Sequence, residues 1–146
     1  MTDQRILDAI DELALELVAV TARALQEAVN DLELTLSQWR VLVVIGQRRQ
    51  SLRVGEIAAR IEASLPSTSR ILRRLERRGL ITTRRDERDR RATLVRLTPA
   101  GAGARRKVMQ ARQRSVAAAL GDGASPIPDT LTDGLEAIVR ALAPLS

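Results

Sequence analysis

Apolar and polar residues recur with a helical period near both ends of the chain. Between residue 4 and about residue 32, apolar side chains are spaced by three and four positions, with acidic side chains between them. A helix of that length extends beyond a small globular core, so we expect one of its ends to pack on something else. A last amphipathic helix is predicted over residues 129–142, after the flexible break GDGASPIP at residues 121–128.

Three shorter helices are predicted between these ends. The segment TLSQ, which begins at Thr35, has the form of a capping box and starts a helix that stops at Gly46. The segment VGEIAARI, residues 54–61, predicts a short third helix. A fourth begins at Ser64 as the N-cap, has Pro66 in its first turn and ends at Gly79. Two short helices joined by a tight turn indicate a helix-turn-helix.

The fourth helix has two chemically different sides. At 100° per residue, one side carries Leu65, Thr68, Leu72, Leu75 and Gly79. The opposite side carries Pro66, Arg70, Arg73 and Arg77, with Ser67, Ser69 and Arg74 at its margins. An arginine-rich side on the second helix of the motif is typical of a helix that enters the major groove of DNA.

After Gly79 the pattern changes from helical to β. Residues 81–83 and 93–97 are rich in β-formers, and between them Arg84 to Arg91 are eight consecutive charged residues, five of them arginines. This arrangement predicts a β-hairpin with a charged tip, followed by a helix from residue 100 to about residue 120. The predicted fold is therefore mainly α with a small β-hairpin wing, a winged helix-turn-helix with helical extensions at both ends.

Composition excludes several kinds of site. The chain has no Cys and no His, which rules out disulfides and thiolate metal sites and removes the usual general base. No phosphate-binding glycine loop or H-E-x-x-H motif appears, so we expect no enzymatic activity, no cofactor and no metal. Trp39 is the one aromatic residue, and its place on an apolar helix face predicts a core residue rather than a ligand-stacking one. No apolar run approaches a membrane span and no signal peptide is evident, which predicts a soluble, cytoplasmic protein with no membrane partner.

Positive charge is concentrated in the middle of the chain. Residues 48–114 carry a net charge of +14 and the remainder −8, which gives +6 in total. Such clustering opposes folding by self-repulsion, but DNA phosphates would neutralise it with release of counterions. The wing arginines therefore predict a polyanion as partner. Asp89, two residues before Arg91, is predicted to hold the Arg91 guanidinium through a charge-assisted hydrogen bond.

Not every arginine receives the same interpretation. Arg70 lies near the groove-facing end of its helix, which favours DNA contact, whereas Arg77 and Arg78 lie late in the helix and are predicted to be solvated. Arg105, Arg106 and Lys107 fit a phosphate contact and plain solubility equally well.

The middle of the chain closely resembles the MarR family, the multiple-antibiotic-resistance type of bacterial winged-helix regulator. The resemblance rests on VGEIAARI, PSTSRILRRLERRGLI and above all DRRATLVRLTPAG, residues 89–101. The family's D-x-R corresponds to Asp89 and Arg91, and its L-T-x-x-G to Leu97, Thr98 and Gly101. The chain departs from the family at Thr83, where an arginine is frequent, and Arg84 follows instead.

This resemblance implies a homodimer that binds a pseudo-palindromic operator in double-stranded DNA. It implies an N-terminal dimerisation helix within residues 1–34, a DNA-binding lobe over residues 35–98 and C-terminal dimerisation helices within residues 99–146. It also implies a repressor released by a small ligand, for which an aliphatic pocket near Arg40 favours an apolar or weakly acidic compound. The DNA-binding residues expected on this basis are Pro66, Ser67, Ser69, Arg70, Arg73, Arg74, Arg84, Arg88, Arg90 and Arg91, with Asp89 orienting Arg91.

Other functions stay open at this point. A winged helix can be an interaction module whose basic surface binds protein, or a DNA-binding protein that responds to no ligand. A relative of such repressors can also act as an activator.

Overall fold

The computed structural model describes residues 3–29, 32–47, 51–121 and 128–142. They form a mainly helical structure with a small antiparallel sheet, which confirms the predicted fold class. Most of the predicted break at residues 121–128 lies outside the described residues. In chain order the elements are α1 (Gln4–Ala28), α2 (Leu36–Gly46), β1 (Leu52–Arg53), α3 (Val54–Arg60), α4 (Leu65–Arg77), β2 (Ile81–Arg85), β3 (Thr93–Leu97), α5 (Pro99–Gly121) and α6 (Asp129–Leu142).

The residues that were predicted to limit the helices do so in the structure. The Thr35 hydroxyl accepts from the Gln38 backbone N–H at 3.2 Å, and the Gln38 side chain accepts from the Thr35 N–H at 3.1 Å, so the capping box before α2 is complete. The Ser64 hydroxyl accepts from the Ser67 N–H at 3.3 Å at the start of α4. Gly79 follows α4 with a φ of +67°, a left-handed conformation that favours glycine. Helix α1 ends at Ala28, earlier than expected.

The core is aliphatic, as the composition requires. Val41 and Leu42 of α2, Leu75 of α4, Val95 of β3 and Val108 of α5 are completely buried. Trp39 is only 8% exposed, which confirms it as a core residue, and the Arg112 guanidinium lies 5.5 Å from the centre of its ring. These residues join α2, α4, the sheet and α5 in a single apolar cluster.

The sheet has the strand order β1-β3-β2, with both pairings antiparallel. The hairpin of β2 and β3 was predicted, whereas β1 was not, because two residues are too short to show the alternation typical of a strand. Strand β1 pairs Leu52 with Val95 and Arg53 with Leu94. The start of α3 is thereby held against the wing.

The L-T-x-x-G motif forms a joint between the end of α4 and the start of α5. The Thr98 hydroxyl donates to the Gly79 carbonyl at 2.6 Å and accepts from the Gly101 N–H at 3.0 Å. The Thr98 N–H donates to the Leu80 carbonyl at 3.1 Å. A Cβ on Gly101 would lie 1.9 Å from the Leu80 carbonyl oxygen, so only glycine fits this approach.

Two helices carry apolar side chains that one chain does not bury. No residue of α6 is buried, and in α1 the buried residues are confined to the C-terminal part, at Thr21, Ala24 and Leu25. No helix in the described part of the chain is both long and apolar enough to cross a membrane. The apolar side chains that stay exposed on these helices include Ile6, Leu7, Leu13, Leu15, Leu17 and Val18 of α1 and Leu131, Leu135, Val139 and Leu142 of α6.

We expect Gly101→Ala to destabilise the protein by about 1–3 kcal/mol, because the methyl group overlaps the Leu80 carbonyl oxygen and the backbone must move. Urea denaturation followed by circular dichroism would measure this loss. Gly103→Ala in the same helix is the matched control, since a Cβ there meets no atom closer than 4.0 Å. It should raise stability by up to about 1 kcal/mol through helix propensity. Equal effects of the two substitutions would contradict the role given to Gly101.

Candidate nucleic-acid interface

Helix α4 separates a buried side from a charged one, as its sequence predicted. Thr68, Leu72 and Leu75 are buried, and the Thr68 hydroxyl donates to the Ser64 carbonyl at 3.0 Å, which satisfies its polar atom. Leu65, predicted on the buried side, is 56% exposed because it is the first residue of the helix and lies beyond the edge of the core.

The start of α4 brings together most of the residues predicted to contact bases. Pro66 and Arg70 are exposed, and Ser67 and Ser69 are half-buried. One Arg70 guanidinium nitrogen donates to the Ser67 hydroxyl at 3.1 Å. This exposed end therefore offers hydroxyl groups and a guanidinium side by side, and such groups bind both phosphates and base edges.

Further along α4, exposed arginines line a shallow depression of about 350 Å³. Arg73 and Arg74, both predicted to bind DNA, lie there with Arg70 and Arg77. Glu76 is the one acidic residue in the lining.

Arg78, at the end of α4, is not simply a solvated side chain, and that prediction is wrong. Its Nη1 donates to the Leu32 carbonyl at 2.7 Å, the Glu33 carbonyl at 3.3 Å and the Gln38 side-chain oxygen at 3.2 Å. Glu33 has a φ of +42°, so this connector between α1 and α2 is turned sharply where Arg78 holds it. Arg78 thus ties the end of α4 to the connector between α1 and α2 and to the first turn of α2. No sequence pattern indicates these contacts, because the partners lie 40 to 46 positions from Arg78.

Thr83, where the chain departs from the family pattern, joins the wing to α4. Its hydroxyl donates to a Glu76 side-chain oxygen at 2.6 Å, and its backbone N–H donates to the same oxygen at 3.1 Å. An arginine could make an ion pair with Glu76 at this position, and Thr83 replaces it with two hydrogen bonds. The Glu76 carboxylate therefore has hydrogen-bond partners within the protein.

The wing arginines are exposed. Arg84 lies on β2, and Arg88, Arg90 and Arg91 lie in the loop between β2 and β3. The base of this loop is closed by the Asp86 N–H, which donates to the Ala92 carbonyl at 2.9 Å. All four side chains were predicted to bind DNA, and the structure places them around a single hairpin tip.

Asp89 contacts Arg91 in a different way from the one predicted. Its carboxylate accepts from the Arg91 backbone N–H at 3.1 Å, and not from the guanidinium. Asp86 accepts in the same way from the Arg88 N–H at 2.9 Å. Each acid therefore fixes the backbone of an arginine two positions further on and leaves the arginine side chain free.

Arg53 is a member of this site that sequence reasoning missed. Its Nη2 lies 3.0 Å from the second carboxylate oxygen of Asp86, and its Nη1 lies 4.0 Å from that of Asp89. The hydrogen bond from the Arg88 N–H, followed by that from Arg53, lowers the pKa of Asp86 below its usual value. Asp86 is therefore ionised at neutral pH, and its bond to Arg53 is lost only in acid. Arg53 precedes Asp86 by 33 residues, and the unpredicted strand β1 brings them together.

The site is suited to binding a polyanion. Its arginines are exposed on α4 and on the wing, and three of the four acids near them, Glu76, Asp86 and Asp89, are engaged by backbone N–H groups, a hydroxyl or Arg53. Among the described residues, no cluster of three or more Asp or Glu side chains could hold a metal ion.

Comparison with known proteins shows a similarity to one family in the middle of the chain. Residues 30–92 match the sequence model of the MarR family, and this range contains α2 to α4 and most of the wing. This part of the chain is similar to the MarR family. A curated relative, an uncharacterised HTH-type transcriptional regulator of Bacillus subtilis named YfiV, is 36% identical over 67 residues. These residues are 46% of this chain and 41% of the relative, so the match spans less than half the length of each protein.

Solved structures share the fold over nearly the whole of this chain. RV1404 from Mycobacterium tuberculosis is 25% identical and has a TM-score of 0.83, with 94% of this chain and 92% of that chain covered. FabT from Streptococcus pneumoniae, solved in complex with DNA, is 20% identical with a TM-score of 0.77 and coverages of 98% and 99%. Sco3205 from Streptomyces coelicolor, a MarR family regulator also solved with DNA, is 23% identical with a TM-score of 0.72 and coverages of 98% and 88%.

These matches confirm the resemblance inferred from the sequence. MarR-family transcriptional regulators are DNA-binding proteins without enzymatic activity, and the similarity to them agrees with the expectation that this chain is not an enzyme.

Proposed function

We propose that this protein acts as a homodimer that binds a pseudo-palindromic operator and represses neighbouring genes until a small molecule releases it. The observation that carries the proposal is the pairing of an exposed arginine side on α4 with an exposed arginine wing, on one rigid lobe. The DNA in the structures of FabT and Sco3205 supports the same use of this fold.

In this proposal the start of α4 enters the major groove. Ser67, Ser69 and Arg70 contact base edges or phosphates, and the following arginines contact the backbone. The wing reaches the adjacent minor groove, where Arg91 meets the strong negative potential between the strands. Asp89 orients Arg91 through its backbone N–H. The residues proposed to bind DNA are Pro66, Ser67, Ser69, Arg70, Arg73, Arg74, Arg84, Arg88, Arg90 and Arg91.

A second copy of the chain is proposed to cover the exposed apolar side chains of α1 and α6. An amphipathic helix with no buried residue gains little from folding alone, so α6 needs a partner surface. The apolar side chains of α1 lie on the other long helix that one chain leaves uncovered. Pairing of these two helices across a two-fold axis would also place two α4 helices on one duplex.

A groove of about 600 Å³ between α2, α3 and α6 is the proposed ligand site. Val43, Val44, Val139 and Leu142 supply apolar walls, and Arg40 and Arg60 supply positive charge. One Arg40 guanidinium nitrogen donates to the Arg60 carbonyl at 3.4 Å, which holds its side chain at the edge of the groove. Such a lining suits an apolar compound with a weakly acidic group.

Selection of bound sequences from random duplex DNA tests the proposed function. A regulator should enrich a palindrome with half-sites about one helical turn, ~10 bp, apart. An interaction module that binds protein through its basic surface would enrich no sequence. The enriched sequence would also identify the controlled genes, and reporter expression from them distinguishes repression from activation.

We expect Arg91→Ala to weaken binding to the selected operator by about 1–3 kcal/mol, because the minor-groove contact is lost. Fluorescence anisotropy titrations would measure the change. Arg77→Ala removes the same charge from the solvated end of α4 and should have a smaller effect. Equal losses in the two variants would leave only unspecific electrostatic attraction as the role of Arg91.

We expect Leu135→Glu to shift the protein from dimer to monomer, because it introduces a charge in the apolar stripe of α6. Analytical ultracentrifugation would measure the molecular mass. Arg140→Glu introduces the same side chain on the opposite side of α6 and gives up only an exposed ion pair with Glu136, so it should stay dimeric. A wild-type protein that sediments as a monomer would contradict the proposed dimer.

We expect aromatic carboxylates to raise the melting temperature of the protein and to weaken its binding to the operator, because they fit the charge and the apolar walls of the groove. Thermal-shift screening and anisotropy would measure the two effects. Arg40→Met should abolish the shift, whereas Arg23→Met, outside the groove, should retain it. A shift that survives in Arg40→Met would place the ligand elsewhere.

A further inference from the structure

The wing contains three acids among its arginines, and two of them face Arg53. We propose that Arg53, Asp86 and Asp89 form a brace that positions the wing for DNA binding, and that the negatively charged Asp86 thereby strengthens the binding of DNA. Arg53 and Asp86 are positioning residues in this proposal, which rests on the proposed DNA-binding function. We call these three side chains the wing brace.

The fixed end of the wing brace is Arg53. Its backbone pairs with Leu94 on the central strand, and its N–H donates to the Glu56 side chain at 2.7 Å. The Arg53 side chain is thus attached at the point where β1 ends and α3 begins. Its guanidinium extends from the body of the motif to the loop that carries the wing arginines.

The movable end is the loop, and its two acids each use both carboxylate oxygens. One oxygen of Asp86 accepts from the Arg88 N–H at 2.9 Å, and the other lies 3.0 Å from the Arg53 Nη2. Asp89 likewise accepts from the Arg91 N–H and faces Arg53 at 4.0 Å. The Asp86 side chain is 13% exposed, compared with 47% for Asp89, so Asp86 makes the tighter link. Through these carboxylates, Arg53 fixes the backbone of Arg88 and Arg91.

The wing brace would counteract the repulsion among the arginines of the wing. Five arginines within eight residues repel one another, and Ala92 is the only apolar residue in the loop between β2 and β3 that could help to hold it in one conformation. An unordered loop must lose its conformational freedom when it binds, and that cost weakens the complex. An exposed ion pair adds little to global stability, so the benefit is expected in DNA affinity rather than in the melting temperature.

Simple electrostatic repulsion predicts the opposite effect, that Asp86 weakens DNA binding. A carboxylate near DNA phosphates repels them, so its removal should tighten binding. Asp86 is ionised at neutral pH, so this repulsion is present in the wild-type protein. Under the wing brace, removal of the same charge should weaken binding. Whether removal of the Asp86 charge weakens or tightens DNA binding therefore distinguishes the wing brace from simple repulsion.

Asp86→Asn and Glu87→Gln are a matched pair for this measurement. Both remove one negative charge from neighbouring positions in the loop, but Glu87 is exposed and makes no ion pair among the described residues. We expect Asp86→Asn to bind the selected operator about tenfold more weakly, and Glu87→Gln to bind as tightly as wild type or slightly more tightly. Equal or tighter binding by Asp86→Asn would overturn the proposal. Thermal melts at the wild-type temperature would show that both variants are folded.

A double-mutant cycle tests whether Arg53 acts through Asp86 or contacts a phosphate itself. In the brace, Arg53→Ala and Asp86→Asn remove the same link, so the double variant should lose little more affinity than the worse single variant. Additive losses would instead assign Arg53 a direct phosphate contact and overturn the brace. Arg53→Lys, which keeps the charge and one donor, should recover part of the affinity.

Amide hydrogen exchange tests the wing brace without DNA. The N–H groups of Arg88 and Arg91 should exchange several-fold faster in Arg53→Ala than in wild type, with Arg53→Lys between them. Unchanged exchange would overturn the brace even if DNA binding is confirmed. A wild-type protein that selects no DNA sequence, together with faster exchange in Arg53→Ala, would remove the proposed function and leave the brace as a structural contact only.

Discussion

The contact between the Leu80 carbonyl and Gly101 is the constraint on which the rest of this molecule depends. At that point the end of α4, the base of the wing and the first turn of α5 meet, and Thr98 joins them by hydrogen bonds to the Gly79 and Leu80 carbonyls. Helix α5 then continues along α1, with which it makes the main contact between long helices. Through the contact at Leu80 and Gly101, α5 is joined both to the end of α4 and to the wing. Arg78 provides a second link of the same kind, from the end of α4 to the connector between α1 and α2.

The acids near the interface show how the protein tolerates its concentrated positive charge. Glu76, Asp86 and Asp89 hold backbone N–H groups, the Thr83 hydroxyl or Arg53, and none of them pairs with an arginine proposed to bind DNA. The arginines proposed to bind DNA consequently remain exposed. The same acids set the backbone geometry of the wing, so shape and charge are controlled by one group of side chains.

Local signals explain how much of this structure was predictable. Caps and glycines lie within a few residues of the helices they limit, so Thr35, Ser64 and Gly79 marked real boundaries, and the arginines of α4 and the wing were found from clustering alone. Contacts between distant segments left no such pattern. Strand β1 is too short for periodicity, and the partners of Arg53 and Arg78 lie more than 30 residues away. The contact between Asp89 and Arg91 was expected from their spacing, but spacing cannot distinguish a guanidinium from a backbone N–H.

Trp39 gives the protein an optical property that follows from its composition. As the only aromatic residue, it is the sole source of intrinsic fluorescence and of near-ultraviolet dichroism. Its ring connects α2 with Arg112 of α5, and its indole N–H is buried without a hydrogen-bond partner among the described residues. Emission from this protein should therefore be blue-shifted in the folded state, and it reports on one helix–helix contact, free of overlap from other rings.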